Sequence, residues 1–158
     1  MSKRHEYALA IEWTGNTGQG TKSYKSYTRD YSIAAAGKPV IRGSSDPAFL
    51  GDRTRYNPED LLVASLSACH MLWYLHLCSA NGIVVQDYKD AVKGVMEEGP
   101  DGSGAFTEVN LQPEVTIAAP GNVAKATALH EEAHEKCFIA RSVNFEVRVS
   151  PNVVERQA

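Results

Sequence analysis

Two cysteines fall in two helical patterns that lie far apart along the chain. Cys69 sits within a long run without charged side chains, and Cys137 closes the segment 134–137. As a thiolate, one cysteine can attack the oxygen of a peroxide, and the resulting sulfenic acid condenses with a second thiol to a disulfide. We therefore predict that the fold brings these two cysteines together as a redox pair with thiol peroxidase chemistry.

The third cysteine, Cys78, lies nine residues after Cys69. Nine residues correspond to about 900° of helical rotation, so the two side chains leave the helix on opposite faces. We expect Cys78 to be a small, inert core residue. Three cysteines without a secretion signal are typical of a reducing compartment, which predicts a cytoplasmic protein.

A zinc hydrolase is the alternative raised by the segment 130–134, His-Glu-Glu-Ala-His. Two histidines one helical turn apart can hold zinc while the glutamate activates water. A third ligand is required, but Ala140 stands where the metzincin pattern has its third histidine. Glu155 lies in a polar tail, and Cys137 is the remaining candidate. We therefore predict no bound metal and rank this function third.

A long helix must position Cys69. Asn57 is suited to cap this helix, Pro58 to begin it, and the pair Asn81-Gly82 to end it. No Lys, Arg, Asp or Glu occurs between residues 61 and 85, so protein or lipid must surround the helix. The serines and histidines on it and the mean hydropathy of −0.30 for the whole chain argue against a membrane span. We expect a second subunit to help cover it.

Strands are predicted on both sides of this helix from their apolar alternation and composition. The predicted strands cover 7–13, 22–33, 40–41, 88–97, 106–117 and 143–149, and a second helix runs from Asn122 to Cys137. A long loop covers 44–55, and a hairpin turn covers 99–104. The order of elements predicts an α+β fold. The length of 158 residues suits one domain, covering 1–158.

The net charge of the chain limits the kinds of binding partner that we expect. A formal net charge of −3 provides no basic surplus for nucleic acid or an anionic membrane. A small molecule is the better prediction.

The residues around Cys69 also resemble a known signature. Asn57-Pro-Glu-Asp-Leu, followed by Cys69, resembles the Asn-Pro-Glu-Glu/Gln-Leu…Cys stretch of the family of osmotically inducible protein C and the organic hydroperoxide resistance proteins (OsmC/Ohr). The segment 133–137 resembles the second-cysteine helix of that family, and 142–149 resembles its closing strand. The resemblance thus covers nearly the whole chain.

This resemblance implies an OsmC-like fold, with strands wrapped around a long central helix in an intertwined homodimer. It implies an enzyme, a thiol-dependent peroxidase that acts on organic hydroperoxides without a cofactor. Cys69 would attack the distal peroxide oxygen, Cys137 would condense with the sulfenic acid, and an external thiol or dithiol would reset the pair.

The resemblance also implies a cation that favours the Cys69 thiolate. In the family an arginine of the first hairpin does this, tied to the glutamate that matches Glu59. The hairpin loop 16–21 has no arginine here, so Arg29 and Arg55 are the predicted substitutes. An apolar approach for the peroxide is expected from three side chains of the long helix: Leu66, Leu72 and Trp73.

Two further residues have expected roles. His70 is predicted to be a satisfied core histidine, and Arg141 could favour the Cys137 thiolate. Because the hairpin arginine is missing, the runner-up function is a non-catalytic relative of the same fold that serves as a binding or redox-sensing module.

Overall fold

The computed structural model describes residues 3–157 and has the predicted mixture of helices and strands. The elements in chain order are β1 (Ala10–Trp13), β2 (Tyr31–Ala34), β3 (Ile41–Gly43), α1 (Pro58–Ala80), β4 (Val85–Asp90), β5 (Lys93–Glu98), β6 (Gly104–Leu111), β7 (Pro113–Ala118), α2 (Val123–Lys136), β8 (Glu146–Val149) and β9 (Asn152–Arg156). Two short 3-10 helices cover Pro47–Phe49 and Ala140–Ser142. The chain divides into two compact units, one ending at Leu61 and the other beginning at Leu62.

Helix α1 has the predicted ends. The Asn57 side-chain oxygen accepts the Asp60 N–H at 2.7 Å, and an Asp60 carboxylate oxygen accepts the Asn57 N–H at 3.2 Å. This reciprocal pair is a capping box. At the other end Gly82 has φ of 71°, and the Ile83 N–H donates to the Cys78 carbonyl at 2.9 Å. Glycine adopts this left-handed conformation without a Cβ clash, so the helix ends there.

The first unit contains an antiparallel sheet in the order β1-β2-β3. The predicted strand 22–33 is wrong for residues 22–30, because only β2 at its end is a strand. In the segment before β2 the Ser26 hydroxyl donates to the Gly20 carbonyl at 3.0 Å, and Arg29 donates to the Tyr24 and Tyr27 carbonyls. Local side-chain hydrogen bonds of this kind replace those of a strand ladder.

The second unit contains two sheets, in the orders β4-β7-β9 and β5-β6-β8. The predicted strands 88–97 and 106–117 each prove to be two strands, because the chain crosses from one sheet to the other at residues 91–92 and at Gln112. An Asp90 carboxylate oxygen accepts the Gln112 N–H at 2.7 Å and so ties the two crossings together. The polar tail after Pro151 contains a strand that was not predicted, since β9 pairs in parallel with β7.

Helix α1 supplies one buried stripe to the core of the second unit: Leu66, His70, Tyr74, Leu77 and Cys78. Its first part packs with Val109 and Leu111 of β6, and its later part packs with residues of β7, β9 and α2. The other faces of α1 are half-buried or exposed, and Leu72 is 62% exposed. The described residues therefore cover one face of this helix, and coverage of its other faces by a second subunit stays a prediction. Of the helices within residues 3–157, α1 alone has the length and apolar composition that a membrane span requires.

Candidate active site

Cys69 lies near the middle of α1 and is half-buried. It immediately precedes His70 and so lies at the margin of the buried stripe, about 100° around the helix from its centre. The capping box and the glycine stop fix where α1 begins and ends, which sets the position of Cys69 along it.

Cys137 is held at the C-terminal end of α2. Its N–H donates to the His134 carbonyl at 3.2 Å, and its sulfur accepts the Ala140 N–H at 3.4 Å. The side chain is 1% exposed. Burial raises the pKa of the Cys137 thiol to about 11, the Ala140 N–H opposes this rise, and the neighbouring Cys69 thiol adds to it. Cys137 is therefore a protonated thiol at neutral pH.

The three cysteines are free thiols, and two of them are neighbours. Cys69 interacts with the Cys137 thiol across the two helices. Cys78 is fully buried within the core instead, where the Tyr74 hydroxyl contacts it and burial raises its pKa. The arrangement fits the prediction that Cys78 is an inert core residue. If the Cys69 thiol is oxidised to a sulfenic acid, it can condense with the Cys137 thiol to form a disulfide.

An aromatic cluster adjoins the thiol pair. Trp73, one helical turn after Cys69, packs edge-on against Phe138 with ring centroids 5.5 Å apart. Phe138 directly follows Cys137 and is 66% exposed. Of the three apolar residues predicted for substrate approach, Trp73 is half-buried and Leu72 is exposed. Leu66 is fully buried in the core and is not open to a ligand from solvent.

Arg29 is engaged within its own loop. Its guanidinium lies 4.2 Å from the ring centroids of both Tyr24 and Tyr27, and it donates to the carbonyls of the same two residues at 2.6 and 2.7 Å. Stacking between two aromatic rings and charge-assisted hydrogen bonds both hold the group in place. These contacts explain the loop conformation of this segment.

Arg55 is flanked by two carboxylates. Its guanidinium nitrogens lie 3.6 Å from Asp30 and 3.4 Å from Asp52. Glu59, in the first turn of α1, has no ion-pair partner among the described residues. Within the first unit, Arg55 and Glu59 therefore do not form the arginine–glutamate ion pair that the family resemblance implies.

Arg141 is not among the groups that shift the pKa of the Cys137 thiol. Its side chain donates to the Glu135 carbonyl at 3.4 Å, and the residue is exposed. The groups that influence the Cys137 thiol are backbone N–H groups and Cys69, and no arginine is among them.

The segment 130–134 does not form a metal centre in the described chain. No group of three His, Cys, Asp or Glu side chains between residues 3 and 157 is arranged to hold a metal ion. His130, Glu131 and His134 line an open cavity of about 410 Å³ together with residues around Pro151. A zinc hydrolase thus has its two histidines but lacks a third ligand.

His70 and His130 instead contact one another. His70 Nε2 lies 2.9 Å from His130 Nδ1, and the two residues are 0% and 2% exposed. Burial and then His134 lower the pKa of His70 to about 4, with Asp90 opposing the shift. Burial and then His70 lower the pKa of His130 to about 3. Both rings are therefore neutral at physiological pH.

Two features of this site escape a reading of the sequence. Phe138 could have been noticed because it follows Cys137, although nothing in the sequence pairs it with Trp73. The contact between His70 and His130 has no sequence signal, since the two residues are sixty positions apart.

Comparison with known proteins gives a consistent result. The family model described as OsmC-like protein matches residues 51–152. An OsmC-like protein of unknown function from Vibrio cholerae is 27% identical, with a TM-score of 0.85 over 94% of this chain and 100% of that chain. An organic hydroperoxide resistance protein from Elizabethkingia anophelis is 18% identical, with a TM-score of 0.67 over 98% and 100% of the two chains.

A third solved structure agrees in fold. An organic hydroperoxide resistance protein from Legionella pneumophila is 19% identical, with a TM-score of 0.66 over 95% of this chain and 98% of that chain. No curated protein matches the chain.

Proposed function

The chain belongs to the OsmC-like protein family, and on this premise we propose that it is a cysteine-based peroxidase that reduces organic hydroperoxides. The observation that carries the proposal is the interaction of the Cys69 thiol with the buried Cys137 thiol. Relatives of the same fold are named organic hydroperoxide resistance proteins, which agrees with this chemistry.

The first step oxidises Cys69. Its thiolate attacks the distal peroxide oxygen, the O–O bond breaks, and the alkoxide leaves as an alcohol after taking up a proton. Cys69 becomes a sulfenic acid. Cys69 is the more accessible of the two interacting thiols, because it is half-buried whereas Cys137 is 1% exposed.

The second step forms the disulfide. The Cys137 sulfur attacks the sulfenic sulfur, and the departing hydroxyl leaves as water with the Cys137 proton. An external thiol or dithiol then reduces the disulfide and is itself oxidised. The raised pKa of Cys137 makes this residue a poor nucleophile until its proton is removed, which suits a resolving rather than an attacking cysteine.

An apolar surface for the organic part of a hydroperoxide is supplied by Trp73 and by the exposed side chains of Phe138 and Leu72. We also propose that Glu59 and Arg55 favour the Cys69 thiolate, rather than Arg29, whose charge is engaged within its own loop. A homodimer, a cytoplasmic location and the absence of a cofactor belong to the same hypothesis.

A redox-sensing module is the second candidate. The observation that favours it is the engagement of Arg29 with Tyr24 and Tyr27, which leaves its charge within its own loop. A sensor would be oxidised once and would not turn over.

Steady consumption of cumene hydroperoxide in the presence of a dithiol distinguishes the two candidates. The peroxidase proposal predicts many turnovers per chain, abolished by Cys69→Ser. If the wild type consumes one equivalent and stops while the dithiol is in excess, it is not a peroxidase.

A further inference from the structure

The contact between His70 and His130 links the two helices that carry the thiols. The bond joins Nε2 of one ring to Nδ1 of the other at 2.9 Å. Tyr74, one turn after His70, stacks on the His130 ring with centroids 3.7 Å apart and an interplanar angle of 12°. His130 is thus held by one helix through a hydrogen bond and an aromatic stack.

Both histidines are close in sequence to a thiol. His70 is the residue after Cys69 on α1. His130 precedes Cys137 by seven residues, which is nearly two full turns, so the two share one face of α2. A shift or rotation of α2 that broke the histidine contact would move Cys137 relative to Cys69.

The surrounding contacts between the helices are apolar. Tyr74, Leu77 and Cys78 of α1 belong to the same core cluster as three residues of α2: Ala126, Leu129 and Ala133. Apolar burial is non-directional, so it fixes the placement of one helix along the other less sharply than a directional contact does. A buried hydrogen bond is directional and costs free energy when it is broken.

Neither histidine ring makes a second hydrogen bond to the described part of the protein. His70 Nδ1 and His130 Nε2 have no protein hydrogen-bond partner among residues 3–157, so each ring makes its protein hydrogen bond to the other. The titratable groups that face the pair are His134 on α2, Asp90 at the end of β4, and the phenol of Tyr74, which stacks on His130. Both rings are neutral, and one proton lies between them.

We propose that His70 and His130 are positioning residues, whose hydrogen bond holds α2 in the placement that keeps the Cys137 sulfur against Cys69. Their importance for turnover rests on the proposed peroxidase function. Their effect on the thiol pair does not depend on that function, because it concerns only how readily the Cys69 and Cys137 sulfurs bond to each other. The reaction that reports it is the oxidation of both thiols to one disulfide by oxidised glutathione, which is reduced to two glutathione thiols.

The test is the equilibrium of the Cys69–Cys137 disulfide with glutathione in a Cys78→Ala background. The ratio of disulfide to dithiol at known glutathione concentrations gives the effective concentration of the two thiols for each other. We expect His70→Leu to lower it by about tenfold or more, since the apolar side chain fills the site without the bond. The control is His134→Gln, a histidine of the same helix outside the bond, which should change it by less than about threefold.

A conservative double variant separates positioning from general damage. In His70→Gln with His130→Asn, the amide groups occupy the places of Nε2 and Nδ1 and can hydrogen-bond to each other. This variant should restore the effective concentration to within about threefold of the wild-type value. Where His70→Leu does not fold, His130→Leu tests the same bond from the other helix.

An unchanged effective concentration in a folded leucine variant would overturn the proposal, as would a double amide variant no better than His70→Leu. Failure of the peroxidase function would be seen separately, as a wild-type protein that forms this disulfide with glutathione but consumes no peroxide.

Discussion

At the scale of single residues, the chemistry depends on how differently three thiols are placed. Cys69 is half-buried, Cys137 is buried with a raised pKa, and Cys78 is buried beside Tyr74 away from both. The sequence predicts this division, because helical spacing alone places Cys78 opposite Cys69. It does not predict the environment of Cys137, which depends on the Ala140 N–H in the turn that follows α2.

The two candidate arginines should respond differently to substitution. Arg29→Gln removes the stack between Tyr24 and Tyr27 and should loosen that loop, increasing its cleavage by trypsin under native conditions. Arg55→Gln should slow the oxidation of Cys69 by about tenfold if Arg55 has the role implied by the family. Stopped-flow oxidation of each variant by cumene hydroperoxide measures this.

Comparable slowing in both arginine variants would contradict this assignment. So would a slower Arg29→Gln with an unchanged Arg55→Gln, since Arg29 is held by its own loop. Arg53→Gln, an exposed arginine of the same segment, is the matched control for loss of charge.

The segment 130–134 should bind no stoichiometric zinc, because it lacks a third ligand. Elemental analysis of the purified protein should find well under one zinc per chain, and chelators should leave its thermal stability and activity unchanged. One zinc per chain, lost in His130→Ala, would instead establish the metal site.

At the scale of secondary-structure elements, helices were predicted more accurately than strands. Both helices begin at asparagine caps whose side chains accept backbone N–H groups, and these are local signals. The strands depend on distant partners. Ala91 and Val92 at the first crossing are not turn residues, whereas Pro113, directly after Gln112, is a local signal of the second crossing. Strand β9 is stabilised by parallel pairing with β7, which no local pattern reveals.

The loop before β2 shows a second reason for such errors. Its serine, threonine and tyrosine content is typical of strands, but the hydrogen bonds of Ser26 and the stacked Arg29 favour turns. Similarly, His70 was expected in the core, whereas its partner on α2 could be found only in the folded structure.

The histidine contact between α1 and α2 should make the free energy of unfolding depend on pH. The pKa values of about 4 and about 3 lie below the ordinary value of 6.5, so the unfolded chain binds more protons than the folded one between pH 6.5 and about 3. Stability should therefore fall as the pH falls through this range, by about 3 kcal/mol from His70 and about 5 kcal/mol from His130 at its lower end. Urea unfolding at about pH 7 and about pH 4.5 measures the change.

The matched control is His70→Gln with His130→Asn, which cannot be protonated at these positions. Its stability should decrease much less over the same pH range, because only the carboxylates and remaining histidines contribute. Equal losses in the wild type and this variant would show that the pair is not responsible.

At the scale of the whole molecule, apolar surface remains after the chain has folded. Tyr7, Leu9 and Ile11 are 89%, 64% and 62% exposed, and they alternate along the chain just before and within β1. Leu72 on α1 and Phe138 beside Cys137 are exposed as well. Apolar surface of this kind marks interfaces in soluble proteins.

We therefore predict a homodimer. Sedimentation at micromolar concentration should give a dimer, and Ile11→Glu should weaken it by placing a charge on the exposed apolar face. Glu12→Lys, on the opposite face of β1, is the control and should leave the dimer intact. A stable, folded wild-type monomer at this concentration would contradict the prediction.

The intact mass of the chain after treatment with cumene hydroperoxide tests the central claim most directly. The wild type should lose two hydrogens per chain, and so should Cys78→Ser. Cys137→Ser should instead gain oxygen, because its Cys69 advances to sulfinic and sulfonic acid without a resolving thiol. Cys69→Ser should neither lose hydrogens nor trap a sulfenic acid. If the loss of hydrogens depends on Cys78, or if Cys69→Ser still reacts, then Cys69 and Cys137 are not the peroxidatic pair.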